Sequence, residues 1–219
     1  EYFVVDAKKA LVLPKDMSWD HGAMIEPLAV AVHAVRRYSG DMHGKKAVVL
    51  GGGPIGNLVA QTAKALGAEV VLLSELSAYR LATAQKCGIT TVNPNERNLL
   101  DAIIGTCGKD RADVIFECIG IKQAIEYARK GSHIIVVGVF GDLATVDMAA
   151  VQDHELSLLG SAMYREEDYI KAIDLVAAGK IEFETLITHR FGFREFKKGY
   201  DTIDQEKDKA MKVMINMEK

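Results

Sequence analysis

Hydrophobic and polar positions fall into two alternating patterns between residues 46 and 178. Short apolar runs recur: "KAVVL" at 46–50, "EVVLL" at 69–73, "ADVIFE" at 112–117, "HIIVVG" at 133–138 and "ELSLLG" at 155–160. Each has the length of a buried strand. Amphipathic stretches lie between most of them. "NLVAQTAKALG" sets Leu58, Val59, Thr62, Ala63 and Leu66 on one helical face and stops at Gly67, a residue suited to ending a helix. "NLLDAIIGTCG" and "EEDYIKAIDLVAAG" repeat the device and end at Gly108 and Gly179. Strands alternating with helices form a parallel sheet covered on both faces. The expected fold class is therefore α/β, with a doubly wound parallel sheet.

The two ends break this rhythm. "EYFVVD" and "ALVLP" read as two short strands. Ser18 then caps the helical run "WDHGAMIEPLAVAVHAVRR", which Pro27 is expected to kink or divide. "KAMKVMINM", near the other end, reads as an edge strand. The pattern shows neither an internal repeat nor a low-complexity linker.

Bulk properties narrow the classes. A chain of 219 residues with 49% hydrophobic and 26% charged residues can bury a full core. A net charge of −3 leaves no electrostatic footprint for nucleic acid or an anionic membrane, and no apolar run is long enough to span a bilayer. Three scattered cysteines, Cys87, Cys107 and Cys118, make neither a disulfide framework nor a four-cysteine zinc cluster, and fit a reducing cytoplasm.

Gly51, Gly53 and Gly56 form G-x-G-x-x-G between a predicted strand and a predicted helix. The first glycine permits a tight turn and the second lets a pyrophosphate approach bare backbone. The third lets helix and strand pack closely. Pro54 suits the first helical turn, whose free N–H groups face the phosphates. Glu75 ends the next strand, where a carboxylate accepts hydrogen bonds from the adenosine ribose and repels a 2′-phosphate. That repulsion is roughly 1 kcal/mol in water and about 4 at intermediate dielectric for charges about 4 Å apart, which favours NAD over NADP. Arg80 acts in the opposite sense, since a guanidinium can accommodate the extra phosphate. None of the seven tyrosines has lysine four residues on, which disfavours a Tyr-x-x-x-Lys short-chain dehydrogenase.

The chain resembles the medium-chain, zinc-dependent alcohol and polyol dehydrogenases of the sorbitol and 2,3-butanediol dehydrogenase branch. "MIEPLAVAVHAV", "GGGPIGNLVAQTAKALGA", "ELSAYRL", "DVIFECIG", "IIVVGVFG", "GSAMYREEDY" and "LITHRF" carry the resemblance in the family's order. It implies a Rossmann domain over residues 37–178. Residues 1–36 would be a remnant of the family's GroES-like catalytic domain, and residues 179–219 a return segment packing on that domain. Gly51, Gly53, Pro54, Ile55 and Gly56 would line the pyrophosphate, with Glu75 and Arg80 at the ribose. Val137, Gly138 and Val139 would face the nicotinamide carboxamide, the alternative being a buried strand end. Ser161 and Ala162 would pass the nicotinamide again, and Tyr164 would stand near the substrate as a catalytic residue.

Glu26 occupies the family position whose carboxylate approaches the catalytic zinc, though it reads equally as an ordinary helix residue. His33 belongs either to the cleft or to the structure. The six histidines show no zinc-ligand spacing, and a catalytic zinc needs three protein ligands. Zinc as a Lewis acid thus belongs to the complete enzyme, whose upstream domain this chain is expected to lack. Its substrate would be a small alcohol or polyol, and its assembly a homodimer or homotetramer joined through "IIVVGVFG" and "ELSLLG". Loss of the upstream domain would expose apolar surface at Trp19, Met24 and Ile25. The alternatives are a zinc-independent quinone-reductase-like enzyme and a non-catalytic NAD-binding module.

Overall fold

The computed structural model describes residues 4–38 and 41–217. Its elements run α1 (Trp19–Arg37), β1 (Lys46–Leu50), α2 (Pro54–Ala65), β2 (Val70–Ser74), α3 (Ala78–Lys86), β3 (Thr90–Val92), α4 (Leu99–Cys107) and β4 (Val114–Glu117). They continue through α5 (Ile121–Tyr127), β5 (His133–Val136), α6 (Met148–Asp153), β6 (Ser157–Gly160), α7 (Glu166–Ala177), β7 (Ile187–Gly192), α8 (Phe196–Gln205) and β8 (Lys212–Asn216). Six strands make one parallel sheet in the order β3-β2-β1-β4-β5-β6. This is a Rossmann sheet whose strand order reverses between β1 and β4. Such a reversal opens a crevice at the carboxyl ends of the strands.

Strand periodicity divides the core in two. Ala47, Val49, Leu73, Phe116 and Ile135 point into one cluster, which is filled by α1, α2 and α7. Val48, Leu50, Leu72, Ile115 and Ile134 point into the other, against α4 and α5. Burial on both faces is why these strands read as unbroken apolar runs. Helix ends follow the glycine signals: Gly67, Gly108 and Gly179 take φ of 99°, 87° and 65°.

The ends depart from expectation. Residues 4–13 form no strand. Asp6 accepts the Lys8 N–H at 3.0 Å and turns the chain into a short 3-10 helix over Ala7–Lys9, and two strands without a neighbouring sheet gain little. Residues 1–3 of the expected first strand lie outside the described residues. Ser18 does cap α1, accepting the His21 N–H at 3.2 Å. Pro27, however, does not divide the helix. The carbonyl left without an amide partner belongs to Ala23, which is exposed, while Met24, Leu28 and Val32 lock the adjoining turns into the core. Met24 and Ile25 are therefore buried, contrary to expectation, and Trp19 alone of the three is bare at 81% exposure.

The expected C-terminal strand forms as β8, but it pairs in parallel with β7 in a separate two-stranded sheet. The three-residue β3 and the six-residue β7 are additions to the expected set. Of the two segments expected at an oligomer interface, β5 is committed on both sides to β4 and β6, which leaves only β6 at the sheet edge.

Candidate cofactor-binding site

The crevice is built from strand ends. Gly51 follows β1 with φ of 101° and donates its N–H to Ser74 O at 2.8 Å, tying the loop to the end of β2. Only glycine adopts that backbone without strain. A Cβ on Gly56 would lie 1.9 Å from Gly51 O, so α2 presses against the loop too closely for any side chain. At Gly53 a Cβ would meet only Arg80 Nη1, at 3.9 Å, which leaves this stretch of backbone open. Gly53 is also the N-cap of α2 and makes no side-chain capping bond, while Pro54 takes the first turn. Free N–H groups at the start of an amphipathic helix, beside bare backbone, form an anion cradle. Ile55 is half-buried behind it.

Glu75 stands at this cradle. Its Oε2 accepts the Gly52 N–H at 2.9 Å, and its Oε1 accepts the N–H groups of Leu76 and Ser77 at 2.6 and 2.9 Å. Arg80 reaches it, with Nη1 3.8 Å from Glu75 Oε2, and donates through Nη2 to Lys207 O at 2.7 Å. The two residues with opposing effects on a ribose phosphate are thus one pair, braced by the C-terminal segment.

Further along the sheet, the N–H groups of Val137 and Gly138 donate to Glu117 O at 2.9 and 3.0 Å, and Ser161 N–H donates to Val136 O at 2.9 Å. These bonds set 137–139 and 161–162 side by side. Val139 is 100% exposed, so the alternative of a buried strand end does not hold for it. Ala162 is exposed, and the Ser161 hydroxyl is buried without a partner.

Tyr164 stacks edge-on against Tyr169, with ring centroids 4.8 Å apart. Both line a cavity of about 520 Å³ with Leu11, Leu13 and Ile25. Burial, a hydrogen bond with Tyr164 and the charge of Glu26 push the Tyr169 phenol well above its ordinary pKa. Tyr164 thus meets Tyr169, a residue that sequence reasoning passed over although it closes the same "MYREEDY" motif.

His33 proves structural. Its Nδ1 lies 2.8 Å from Asp168 Oδ2, Arg36 Nη1 donates to Asp168 Oδ1 at 2.7 Å, and the Arg165 N–H donates to Oδ2 at 2.8 Å. The buried Asp168 thereby clamps α7 to α1. No three His, Cys, Asp or Glu side chains come together to hold a metal among the described residues, so these residues do not make a zinc site around Glu26.

A cavity of about 590 Å³ lies at the opposite, amino ends of the strands, beside Lys46 at the start of β1 and Asp113 just before β4. Its Lys46 Nζ and Arg111 Nη1 donate to Cys107 O and Ala128 O, at the carboxyl ends of α4 and α5, where cations offset helix dipoles.

The sequence profile described as "Zinc-binding dehydrogenase" matches residues 54–178. Sorbitol dehydrogenase 1 of Saccharomyces cerevisiae is 34% identical over 212 residues, covering 92% of this chain and 59% of the yeast protein. The crystal structure of L-idonate 5-dehydrogenase from Escherichia coli superposes with a TM-score of 0.89 at 27% identity, covering 98% of this chain and 62% of that one. A zinc-binding dehydrogenase of Sinorhizobium meliloti, solved bound to NADP, gives a TM-score of 0.77 at 33% identity over 87% of this chain and 57% of its own. The present chain thus spans less than two thirds of the length of each. A profile matching more than half of the chain agrees with the glycine cradle, the acidic residue after β2 and the strand order. The chain belongs to the zinc-binding dehydrogenase family, among the medium-chain alcohol and polyol dehydrogenases.

Proposed function

We propose that this chain is the cofactor-binding part of an NAD-dependent, zinc-dependent dehydrogenase of secondary alcohols or polyols. The observation that carries the reading is the open Gly51–Gly56 cradle with the Glu75–Arg80 pair at its rim. The cradle fits a pyrophosphate, and Glu75 fits a ribose diol. When bound, NAD supplies the hydride acceptor. The chain's residues hold and orient it: Gly51, Gly53, Pro54, Ile55 and Gly56 at the pyrophosphate, Glu75 and Arg80 at the adenosine ribose. Val137, Gly138, Val139, Ser161 and Ala162 take the nicotinamide end, and Tyr164 the substrate wall. The zinc ligands would come from parts of the whole protein beyond this chain, with Glu26 approaching from this side. A homodimer or homotetramer would join at the β6 edge, which otherwise offers unpaired backbone. Residues 1–36, 37–178 and 179–219 are proposed as catalytic-domain remnant, Rossmann domain and return segment. No helix among the described residues is long and apolar enough to cross a membrane.

Calorimetric titration with NADH and with NADPH tests the reading. NADH is expected to bind more tightly; absence of binding by either nucleotide would overturn it. Glu75→Gln removes the charge and keeps the shape. It is expected to raise NADPH affinity relative to NADH by about 5-fold or more, as loss of roughly 1 kcal/mol of repulsion requires. An unchanged ratio would hand selectivity to Arg80. This chain by itself is expected to show no appreciable alcohol oxidation, because three zinc ligands are not assembled among its described residues; zinc-dependent turnover by these residues would refute that.

A further inference from the structure

One side chain in the crevice has no part in the reading above. Glu117 ends β4 between Leu50 of β1 and Val136 of β5, and its exposure is 0%. Neither carboxylate oxygen has a hydrogen-bond partner. The N–H groups of Gly120 and Ile119 face it without closing a bond of ordinary geometry, and the Gly138 N–H beside it is already given to the main-chain O of Glu117 at 3.0 Å. A Cβ on Gly138 would stand 3.0 Å from Oε1 and 3.1 Å from Oε2. On the other side, a Cβ on Gly51 would lie 2.5 Å from Ile119 Cγ2, so the turn after β4 leans on the glycine cradle. The Glu117 carboxyl group thus sits between two backbone segments that border the cofactor crevice.

We propose that Glu117 is a positioning residue for the dinucleotide, its carboxyl group spacing the Ile119–Gly120 turn from the Gly138 backbone so that both flank the cofactor. This rests on the cofactor reading above and adds a group to it. The chemistry of the pocket favours the uncharged acid. Burial pushes the pKa of Glu117 up, and the three backbone N–H groups only partly offset it. No charged side chain contributes from the flanking strands, whose paired residues Leu50 and Val136 are apolar. The neighbouring Cys118 thiol is itself pushed up to about 12, chiefly by burial, and stays neutral. A bound dinucleotide excludes water and brings a pyrophosphate anion nearby, and both favour the protonated form further. Binding above the free chain's Glu117 pKa therefore takes up a proton, and affinity falls by up to about tenfold for each pH unit. Thermal stability carries the same sign. The contribution of a raised acid is complete below the unfolded-state pKa and is lost as pH rises through the folded one.

The test is calorimetric titration of NADH into the wild-type chain and E117Q across a pH series, in two buffers of different ionisation enthalpy. Wild type is expected to lose affinity toward alkaline pH while taking up as much as one proton. E117Q, isosteric and unable to ionise, is expected to keep the low-pH affinity within about threefold, with no uptake linked to this site. The infrared band of a protonated carboxyl should persist in wild type to higher pH than an ordinary glutamic acid allows and be missing in E117Q. E117A, which removes the spacer, is expected to weaken NADH at least about tenfold at low pH, with its fold checked by thermal unfolding. Equal pH slopes and proton uptake in wild type and E117Q, or an infrared band common to both, overturn the proposal. NADH binding without a Glu117-linked slope overturns this inference alone. Absence of all nucleotide binding by wild type overturns the cofactor reading along with it.

Discussion

Replacing Gly56 with alanine is expected to abolish dinucleotide binding and to destabilise the chain at the same time. The added Cβ would stand 1.9 Å from the Gly51 carbonyl oxygen, and the obstacle is backbone rather than a side chain that can swing away. Either α2 retreats or the loop opens. Retreat unpacks Leu58, Val59 and Ala63 from a core in which each is fully buried. Opening moves Gly51 away from Ser74 O and from φ of 101°, which dismantles the tie to β2. Overpacking of this kind costs about 1–3 kcal/mol where a core can adjust, and more where it cannot. The upper end of that range is expected here, with NADH affinity reduced by at least about 100-fold, or roughly 2.7 kcal/mol. Thermal unfolding and calorimetric titration of the same preparation check both. A folded variant binding NADH within threefold of wild type would show that the cradle does not hold the pyrophosphate.

The second large effect is expected far from the nucleotide. Asp168→Ala leaves His33 and Arg36 facing a buried gap and strips the first turn of α7 of its cap. Removing one partner of a buried pair costs about 3–5 kcal/mol, and the half-exposed guanidinium of Arg36 reduces that to on the order of 2–4. For a domain of this size each kcal/mol lowers Tm by about 2–4 °C, so a fall of roughly 4–16 °C is expected. Asp168→Asn keeps an acceptor for the Arg165 N–H and should lose less. Differential scanning calorimetry of both variants separates the cap from the charge; equal losses would assign the effect to the charge alone.

The parts of the fold legible in the sequence are those governed by local periodicity. Strands buried on both faces appear as apolar runs, and helices stopped by left-handed glycines end where the glycines stand. The glycine turn after β1 was legible because glycine is required there for reasons internal to the loop. β3 and β7 were not, because "TTV" and "ITHRFG" acquire strand geometry only from neighbours far along the chain. Residues 4–13 misled in the opposite direction, since β-branched composition without a partner strand does not make a sheet. Of the site, Glu75 and Arg80 carried a positional signal. Glu117 and Asp168 did not: each is a carboxylate inside an ordinary-looking segment, and only burial reveals that one is unpartnered and the other threefold bonded. Tyr169 could have been read from its spacing to Tyr164 within one motif.

The two core clusters also differ in when they can close as the chain is synthesised. The cluster against α4 and α5 draws its buried side chains from Val48 to Leu156, and can close once that stretch has emerged from a ribosome. The other joins Met24 and Leu28 of α1 to Leu186, Ile187 and Met214 near the opposite end. Roughly 190 residues separate its extremes, or ~10–40 s of elongation. α2 covers part of α1 early, but the side that meets α7 stays bare until α7 is made, a site at which a chaperone would be expected to wait. A nascent chain halted before α7 should therefore be more chaperone-bound than one released after β8.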